Sequence, residues 1–323
     1  MRSLFLATLI LFTACNTTGE PLRYGTSADT LVVGNKDENS VSFIDLDNGT
    51  EVARIATGAM PHEVAASPDR ETVAVVHYGA SAVELFAVDA PASLRTIALG
   101  DNAAPHGIAW TRDDRLVITT ERSGTLSIVD LADDSVAAIP TGQEVSHMVA
   151  LSPDEATAFV SNMGSGTVSV IDLERGETRR DIAVGETPEG LAVSPDGRTL
   201  WVADRARDTL IAYEIGSYRE VRRYATGGFP IRVAVSPDGR RVLTSDYADG
   251  ALTLIEDGDA PRSIPVSGSR KAGQVTILFA EDSRHVFVAE TGRATVALVD
   301  LDTGKVVRRF NAGAGADGLA LAD

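Results

Sequence analysis

Three histidines stand at matching places in three similar segments of the chain. They are His62 in PHEVA, His106 in PHGIA and His147 in SHMVA, and Glu189 has the same place in a fourth segment, PEGLA. Neutral imidazole is a common ligand of transition metals, and imidazole and carboxylate groups also transfer protons in catalysis. If the fold brings these segments side by side, all four residues are candidate catalytic groups, and the three histidines are candidate ligands of a divalent metal ion.

The segments that carry these residues belong to a repeat that fills the chain from residue 30 to its end. Successive copies begin 41 to 44 residues apart, and none is missing between the first and the last. The seven copies begin at Thr30, Thr72, Leu116, Thr157, Thr199, Arg241 and His285.

Each copy consists of four short apolar runs between turn signals. In the fourth copy these runs are TAFVSN, TVSVIDL, ETRRDIAVG and EGLAVS. Runs of this length that are rich in Val, Ile, Leu and Ala are typical of β-strands, and no helical periodicity of comparable length occurs. A four-stranded unit cannot bury both of its faces alone, so the copies must pack face to face around an axis. The sequence therefore predicts an all-β fold: a seven-bladed β-propeller with four antiparallel strands per blade over residues 30–323.

The order of the runs predicts how the ring closes. The first run, TLVVGN, matches the second strand of a blade, whereas the last run, GLALAD, matches the innermost strand. We therefore expect the C-terminal strand to complete the N-terminal blade, because this pairing removes the free edges of an open array.

An aspartate recurs in the turn between the inner and second strands of six copies. The turn reads SPDG or a variant of it, and these residue types favour tight turns through local bonds and backbone preferences. We interpret the acids of this turn as structural: Asp69, Asp113, Asp154, Asp196, Asp238 and Asp282.

The inner and second strands of a blade are antiparallel, so the start of one and the end of the other lie on the same face of the disc. That face presents the three histidines and Glu189, together with acids, aromatic residues and an arginine at neighbouring positions. We expect its ligand-binding residues to include His77, Tyr78, Glu121, Asp204, Arg232, Asp246, Tyr247, Glu290 and Asp317.

The same polar ring has a second interpretation. Propeller channels are filled with water, and polar residues at their mouths often only hydrate and cap the strands. Clusters of titratable groups indicate functional sites in a statistical sense only, so both interpretations stay open at this point.

The N-terminus reads MRSLFLATLILFTAC, with one cation, an apolar run from Leu4 to Phe12 and the only cysteine of the chain, Cys15. This pattern is typical of a signal peptide and is too short for a membrane span. The small pair before Cys15 resembles the bacterial lipobox, whose cysteine is lipidated. We therefore expect a signal peptide over 1–14, a lipid-anchored linker over 15–29, and export to the periplasmic face of the outer membrane or the cell surface.

The chain is strongly acidic, with a formal net charge of -17 and a pI near 4.7. Nucleic acids and anionic membrane surfaces are bound mainly through Lys and Arg. We therefore expect no nucleic-acid partner and membrane contact only through the lipid anchor. The expected partner is a small-molecule or protein ligand on the His-bearing face, bound by a monomer.

The motifs TLWVAD, TVSVIDL and PEGLAVSPDGR resemble the YVTN repeat of YncE-like seven-bladed propellers, and the resemblance covers residues 30–323. It implies the propeller fold, but relatives range from binding modules to lactonase-like enzymes, so it does not select a function. The sequence has no GxSxG, P-loop or CxxC motif, which excludes the enzyme classes that depend on them.

Two functions are compatible with these observations. The first is a ligand- or protein-binding module that acts through the His-rich face. The second is a metal-dependent lactonase- or lyase-like enzyme that uses His62, His106 and His147. A divalent metal ion is the only cofactor for which the sequence offers candidate ligands.

Overall fold

A computed structural model describes residues 24–323 of the chain. In this range 28 β-strands form seven antiparallel sheets of four strands each, accompanied by two short 3₁₀-helices. The sheets are the blades of a seven-bladed propeller, so the predicted fold class is confirmed. The predicted signal peptide and Cys15 lie outside the described residues. No helix within residues 24–323 has the length and apolar character needed to cross a membrane.

The strands are numbered in chain order. The candidate histidines are in blades 2, 3 and 4. Blade 1 contains β1 (Thr30–Asn35), β2 (Ser40–Asp45), β3 (Glu51–Ala56) and β28 (Ala316–Ala322). Blade 2 contains β4 (Pro61–Ala66), β5 (Thr72–His77), β6 (Ala82–Ala87) and β7 (Ala92–Ala98). Blade 3 contains β8 (Pro105–Trp110), β9 (Arg115–Thr120), β10 (Thr125–Asp130) and β11 (Ser135–Pro140). Blade 4 contains β12 (Ser146–Leu151), β13 (Thr157–Asn162), β14 (Thr167–Asp172) and β15 (Glu177–Ala183).

The other three blades complete the ring. Blade 5 contains β16 (Pro188–Val193), β17 (Thr199–Asp204), β18 (Thr209–Glu214) and β19 (Glu220–Ala225). Blade 6 contains β20 (Pro230–Val235), β21 (Arg241–Asp246), β22 (Ala251–Glu256) and β23 (Arg262–Pro265). Blade 7 contains β24 (Gln274–Phe279), β25 (His285–Glu290), β26 (Thr295–Asp300) and β27 (Lys305–Asn311). The 3₁₀-helices are Arg270–Ala272 and Thr291–Arg293.

The ring closes between the two ends of the chain. The C-terminal strand β28 is the inner strand of blade 1 and pairs antiparallel with β1, so that Thr30 stands opposite Ala322 and Leu31 opposite Leu321. The predicted closure is therefore confirmed. Because β28 is hydrogen-bonded along β1, the second strand of blade 1 is not left as an unpaired edge at the junction.

The hydrophobic core lies between neighbouring blades. The second and third strands of each blade are almost entirely buried, whereas the outermost strands are largely exposed. Phe43 of blade 1 and Phe86 of blade 2 are fully buried and meet edge to face, with ring centroids 6.5 Å apart. Each such side chain contributes on the order of 2 kcal/mol through its removal from water, so the packed interfaces hold the blades in a fixed orientation.

The aspartate turns are stabilised by bonds within the turn itself. Ser67 Oγ donates to Asp69 Oδ1 at 2.5 Å, and the same carboxylate oxygen accepts the backbone N–H of Glu71 at 3.1 Å. The equivalent bonds recur around Asp154, Asp196 and Asp238. The structural interpretation of these acids is confirmed. We call the side of the disc that carries these turns the turn face, and the opposite side the mouth face.

The first described residues lie against the turn face. The ring of Tyr24 packs edge to face on Phe310, with centroids 5.9 Å apart. The backbone N–H of Asp282 donates to the carbonyl of Gly25 at 2.8 Å, and Ser27 Oγ donates to Glu281 Oε1 at 2.9 Å. The chain therefore enters β1 from the turn face.

Every inner strand has one extra residue near its start, at the mouth face. In blade 2, Pro61 stands opposite His77 and Val64 opposite Val75, so three steps along one strand match two along the other. The same offset of one residue occurs in the other six inner strands. A bulge of this kind interrupts the alternation of side chains, so two consecutive residues are turned away from the regular pleat.

Candidate functional site

The three predicted histidines come together at the mouth face. Each is the second residue of an inner strand, in blades 2, 3 and 4, and lies within equivalent bulges. The rings of His62 and His106 are stacked with centroids 4.7 Å apart, and those of His106 and His147 are 3.9 Å apart. Equivalent positions in adjacent blades therefore bring the imidazoles into direct contact.

His147 lies between two carboxylates. Its Nδ1 bonds to Glu121 Oε1, and its Nε2 lies 3.6 Å from Glu189 Oε1. Burial acts to lower the pKa of His147, but the two carboxylates outweigh burial and raise the pKa above its usual value. Glu121 is held in turn by Tyr78, whose hydroxyl donates to Oε2 at 2.8 Å. The charged form of His147 is thus favoured by fixed neighbours.

His106 has the opposite character, although it touches His147. Burial and the positive charges around it, beginning with His147 and His62, hold the pKa of His106 well below its usual value. Its Nδ1 is buried and has no hydrogen-bond partner among residues 24–323. The mouth face therefore contains a neutral imidazole with a free nitrogen next to an imidazole that favours the charged form.

Asp317 completes the cluster on the other side of His62. It accepts from His62 Nδ1 at 3.0 Å and from Lys36 Nζ at 2.8 Å. Burial acts to raise the pKa of Asp317, but the His62 bond and the Lys36 charge hold it well below its usual value. Asp317 is therefore an ionised carboxylate whose partners come from blades 1 and 2.

Arg232 extends across the channel from blade 6. Its Nη2 donates to Glu63 Oε1 of blade 2 at 2.6 Å, and its Nη1 lies 3.5 Å from Glu189 Oε1 of blade 5. All three side chains are buried, and Arg232 Nε has no partner in the described part of the chain. We call the whole group the mouth cluster: Lys36, His62, Glu63, His106, Glu121, His147, Glu189, Arg232 and Asp317.

The structure places four residues that we expected on the ligand-binding face inside their own blades instead: His77, Asp204, Asp246 and Glu290. They are the last residues of second strands and are almost fully buried. Asp246 illustrates the arrangement, because it accepts hydrogen bonds of 2.6 Å from the hydroxyls of Thr244 and Thr253. These side chains link strands of one blade rather than facing the histidines.

In blades 1, 2, 3 and 5 the residue directly after the second strand bonds to the mouth cluster or to its neighbours instead. In blade 3 the second strand is Arg115–Thr120, one residue earlier than the repeat starting at Leu116 predicts, so Glu121 lies just beyond it. Tyr78 has the equivalent place in blade 2. The sequence analysis missed Lys36 and Arg205, which both follow a second strand by one residue. It had assigned the mouth face to the last residue of that strand, not to the next one.

Aromatic and cationic side chains border the cluster near blades 5 and 6. Arg205 donates to Glu189 Oε2 at 2.5 Å, and its guanidinium lies 5.0 Å from the centroid of Phe229. Arg270 lies 5.5 Å from the ring centroids of both Phe229 and Tyr247. The predicted face residue Tyr247 is therefore part of a cation–aromatic border beside the cluster.

The donors for a metal ion differ from the predicted three histidines. One ligand-capable atom from each of His106, Glu121 and His147 lies within 4.8 Å of the other two. His62 is outside this group, and its Nδ1 bonds to Asp317. Among residues 24–323, this is the one set of three histidine, cysteine or acidic residues with such spacing.

Comparison with known proteins assigns a family and shows similarity to solved structures. The family described as "Lactonase, 7-bladed beta-propeller" matches residues 39–260. The crystal structure of a functionally unknown protein from Desulfotomaculum acetoxidans DSM 771 is similar with a TM-score of 0.77 and 16% identity, covering 91% of this chain and 99% of that chain. This likeness extends to the fold alone. No curated protein matches the chain.

Proposed function

Because this chain belongs to the seven-bladed β-propeller family described as lactonase, we propose that the mouth cluster binds a small lactone and hydrolyses its ring ester. In this reaction water adds to the lactone carbonyl, the ring carbon–oxygen bond breaks, and a hydroxy acid is released. The observation that carries the proposal is the contact between His106 and His147, whose pKa values are shifted in opposite directions. Pairs of titratable groups with such divergent environments are typical of acid–base catalysis.

The residues of the cluster supply the functions that ester hydrolysis needs. The corner formed by His106, His147 and Glu121 can take a proton from water, because His106 is neutral and has a free ring nitrogen. Arg232 offers an unpartnered Nε–H, which can stabilise negative charge on the carbonyl oxygen in the transition state. The buried setting strengthens both effects, since little water competes for these groups.

Hydrolysis is tested with the full chain and a panel of small lactones, followed as proton release in a weak buffer. We expect turnover that falls by about two or more orders of magnitude in His106→Ala and in His147→Ala. His285→Gln is the matched control, because His285 bonds to Asp282 on the turn face, away from the cluster. Turnover that is equal in the wild type and both cluster variants would contradict the proposal.

A second candidate function is ligand binding without turnover. The observation that favours it is the border of Arg205, Arg270, Phe229 and Tyr247, which presents cations and aromatic rings beside the cluster. Such a surface suits recognition of a carboxylate or another flat anion. Saturable binding of a lactone or its hydroxy acid with no hydrolysis, lost in Arg270→Ala, would favour this function over catalysis.

We also propose that the protein is exported and lipid-anchored through Cys15, on the support of the sequence pattern in residues 1–15. Replacement of Cys15 by Ser should release soluble protein or stall processing. Membrane association that is unchanged in Cys15→Ser would contradict the anchor. The assignment to YVTN repeats, the monomeric state and the lack of a nucleic-acid partner stay predictions.

A further inference from the structure

We infer that the corner of the mouth cluster formed by His106, His147 and Glu121 is a binding site for a divalent transition-metal ion of the zinc class. The inference rests on the proposed function in that an ion here activates the water used for hydrolysis. In this site Glu121 takes the place of His62 in the predicted ligand set of His62, His106 and His147. Two imidazoles and one carboxylate are a donor set that Zn²⁺ uses in catalytic sites, where a further position stays open for water or substrate.

The first argument is the convergence of donor atoms. One atom from each residue lies within 4.8 Å of the other two. Ligands of a tetrahedral zinc ion at bond lengths of about 2.0–2.2 Å are roughly 3.4 Å apart, so only small side-chain movements are needed. The residues belong to blades 3 and 4, which are packed against each other, so the donors are held on rigid strands and a tight loop.

The second argument is the unsatisfied hydrogen-bonding capacity of His106. Its side chain and that of His147 are both more than nine-tenths buried. His106 Nδ1 has no hydrogen-bond partner among residues 24–323. Buried polar atoms without partners are uncommon and costly, and one on an imidazole that touches His147 indicates that a further ligand belongs beside these side chains.

The third argument is that the surrounding residues orient these donors. Tyr78 donates to Glu121 Oε2 at 2.8 Å, which leaves Oε1 directed at His147. On the far side of that imidazole, Glu189 Oε1 lies 3.6 Å from Nε2. A carboxylate behind a ligating imidazole is a common outer partner in metal sites, because it fixes the ring and increases its basicity.

The corner contains one anionic ligand, the carboxylate of Glu121. It is paired with His147 and Tyr78, and no lysine or arginine within residues 24–323 forms an ion pair with it. Arg232 and Arg205 are instead engaged by Glu189. A metal ion would therefore take the place of the hydrogen bond between His147 and Glu121, with the Glu121 carboxylate as its anionic ligand.

His62 is not in the ligand set, because its ring nitrogens are not among the atoms that converge within 4.8 Å. Its Nδ1 bonds to Asp317 at 3.0 Å, and Lys36 Nζ lies 2.8 Å from the same carboxylate oxygen. A cation next to His62 would therefore meet the positive charge of Lys36. His62 stacks on His106 and supports its position, which makes it a positioning residue.

The test measures metal binding directly on the full chain, after removal of metals with a chelator. We expect about one equivalent of Zn²⁺ by calorimetry, and Co²⁺ to give the visible absorption of a four- or five-coordinate site. Both signals should be lost in His106→Ala and His147→Ala. Tyr78→Phe should weaken affinity by about 10- to 100-fold, because only an orienting bond is removed.

Two histidine variants serve as controls, and thermal melting of each variant checks that it is folded. His285→Gln removes a histidine from the turn face and should leave metal affinity unchanged. The His62→Gln variant should still bind about one equivalent of Zn²⁺. A site made of His62, His106 and His147 would instead lose zinc binding in this variant. No Co²⁺ absorption and no Zn²⁺ binding above the level of the His106→Ala variant would overturn the metal site.

The outcomes also separate this inference from the proposed function. Lactone hydrolysis that persists in the fully chelated chain would overturn the role of the metal ion in activating water, while supporting hydrolysis with His106 as the direct proton acceptor. Metal binding by the wild type without hydrolysis of any lactone would support the metal site and contradict the proposed reaction.

Discussion

The two faces of the disc are both rich in acids but hold them in different ways. On the turn face, the carboxylate of Asp69 bonds to the hydroxyl of Ser67 two residues earlier, and the equivalent carboxylates of Asp154, Asp196 and Asp238 also bond within their own turns. On the mouth face, Asp317 bonds to His62, 255 residues away in sequence, and Glu63 to Arg232, 169 residues away. The turn acids therefore stabilise one turn each, whereas the mouth acids connect different blades.

The largest effect is expected from breaking the link across the channel. Arg232→Met leaves the carboxylate of Glu63 buried without its partner, which should lower the free energy of unfolding by about 3–5 kcal/mol. Urea denaturation measures this change. The double variant Arg232→Met with Glu63→Met should recover a large part of the loss, because no unpaired charge then remains at that position. A single variant as stable as the wild type would contradict the coupling of blades 2 and 6.

A smaller effect is expected inside blade 6, where Asp246 is buried and forms no ion pair with a cationic side chain of residues 24–323. Burial raises the pKa of Asp246 to about 6, although the hydroxyls of Thr244 and Thr253 act in the opposite direction. Because the folded-state pKa lies above the ordinary value of 3.8, the stability from this group is complete below about pH 4 and is lost as the pH rises through 6. A shift of about 2 units corresponds to roughly 3 kcal/mol.

This titration is measured as the pH dependence of the unfolding free energy in the wild type and in Asp246→Asn. The variant should lack the decline between about pH 4 and pH 6. Asp196 on the turn face gives the matched contrast, because its pKa is lowered by the hydroxyl of Ser194 and its contribution is lost as the pH falls. Equal slopes in the wild type and Asp246→Asn would contradict the buried, unpaired state of Asp246.

The smallest effects are expected on the turn face. Asp69→Ala and Asp196→Ala each remove local bonds from an exposed turn and should cost about 1 kcal/mol or less. Since the turns are in blades 2 and 5 and share no partner, the two effects should add within about 0.5 kcal/mol in the double variant. If the losses in unfolding free energy of the two single variants do not add in the double variant, the turns are not independent of each other. The contrast with the coupled residues of the mouth face would then be wrong.

The same distinction explains how much could be predicted from the sequence. The blades, the aspartate turns and the ring closure follow from patterns within about 40 residues that repeat seven times, so each was visible several times over. The convergence of His62, His106 and His147 was also accessible, because equivalent positions of a repeat point to a common axis.

The other residues that surround those histidines could not be predicted from the repeat pattern. The bulge at the start of each inner strand interrupts the two-residue alternation, so Glu63 meets Arg232 across the channel although a regular strand would separate it from the face of His62. A register error of one residue in blade 3 made Glu121 appear equivalent to His77 rather than Tyr78. Contacts between distant blades depend on such single-residue offsets, which periodicity alone does not resolve.

The path of the chain before β1 has a consequence for how the protein would be presented to its surroundings. Gly25 and Ser27 bond to the turn face, so the described part of the chain begins on the side of the disc away from the histidines. With the proposed lipid on Cys15, the 9 residues to Tyr24 reach at most about 30 Å when extended. The disc would then stand close to the bilayer with its turn face towards the lipid, and its mouth would open to solutes arriving by diffusion from the aqueous side.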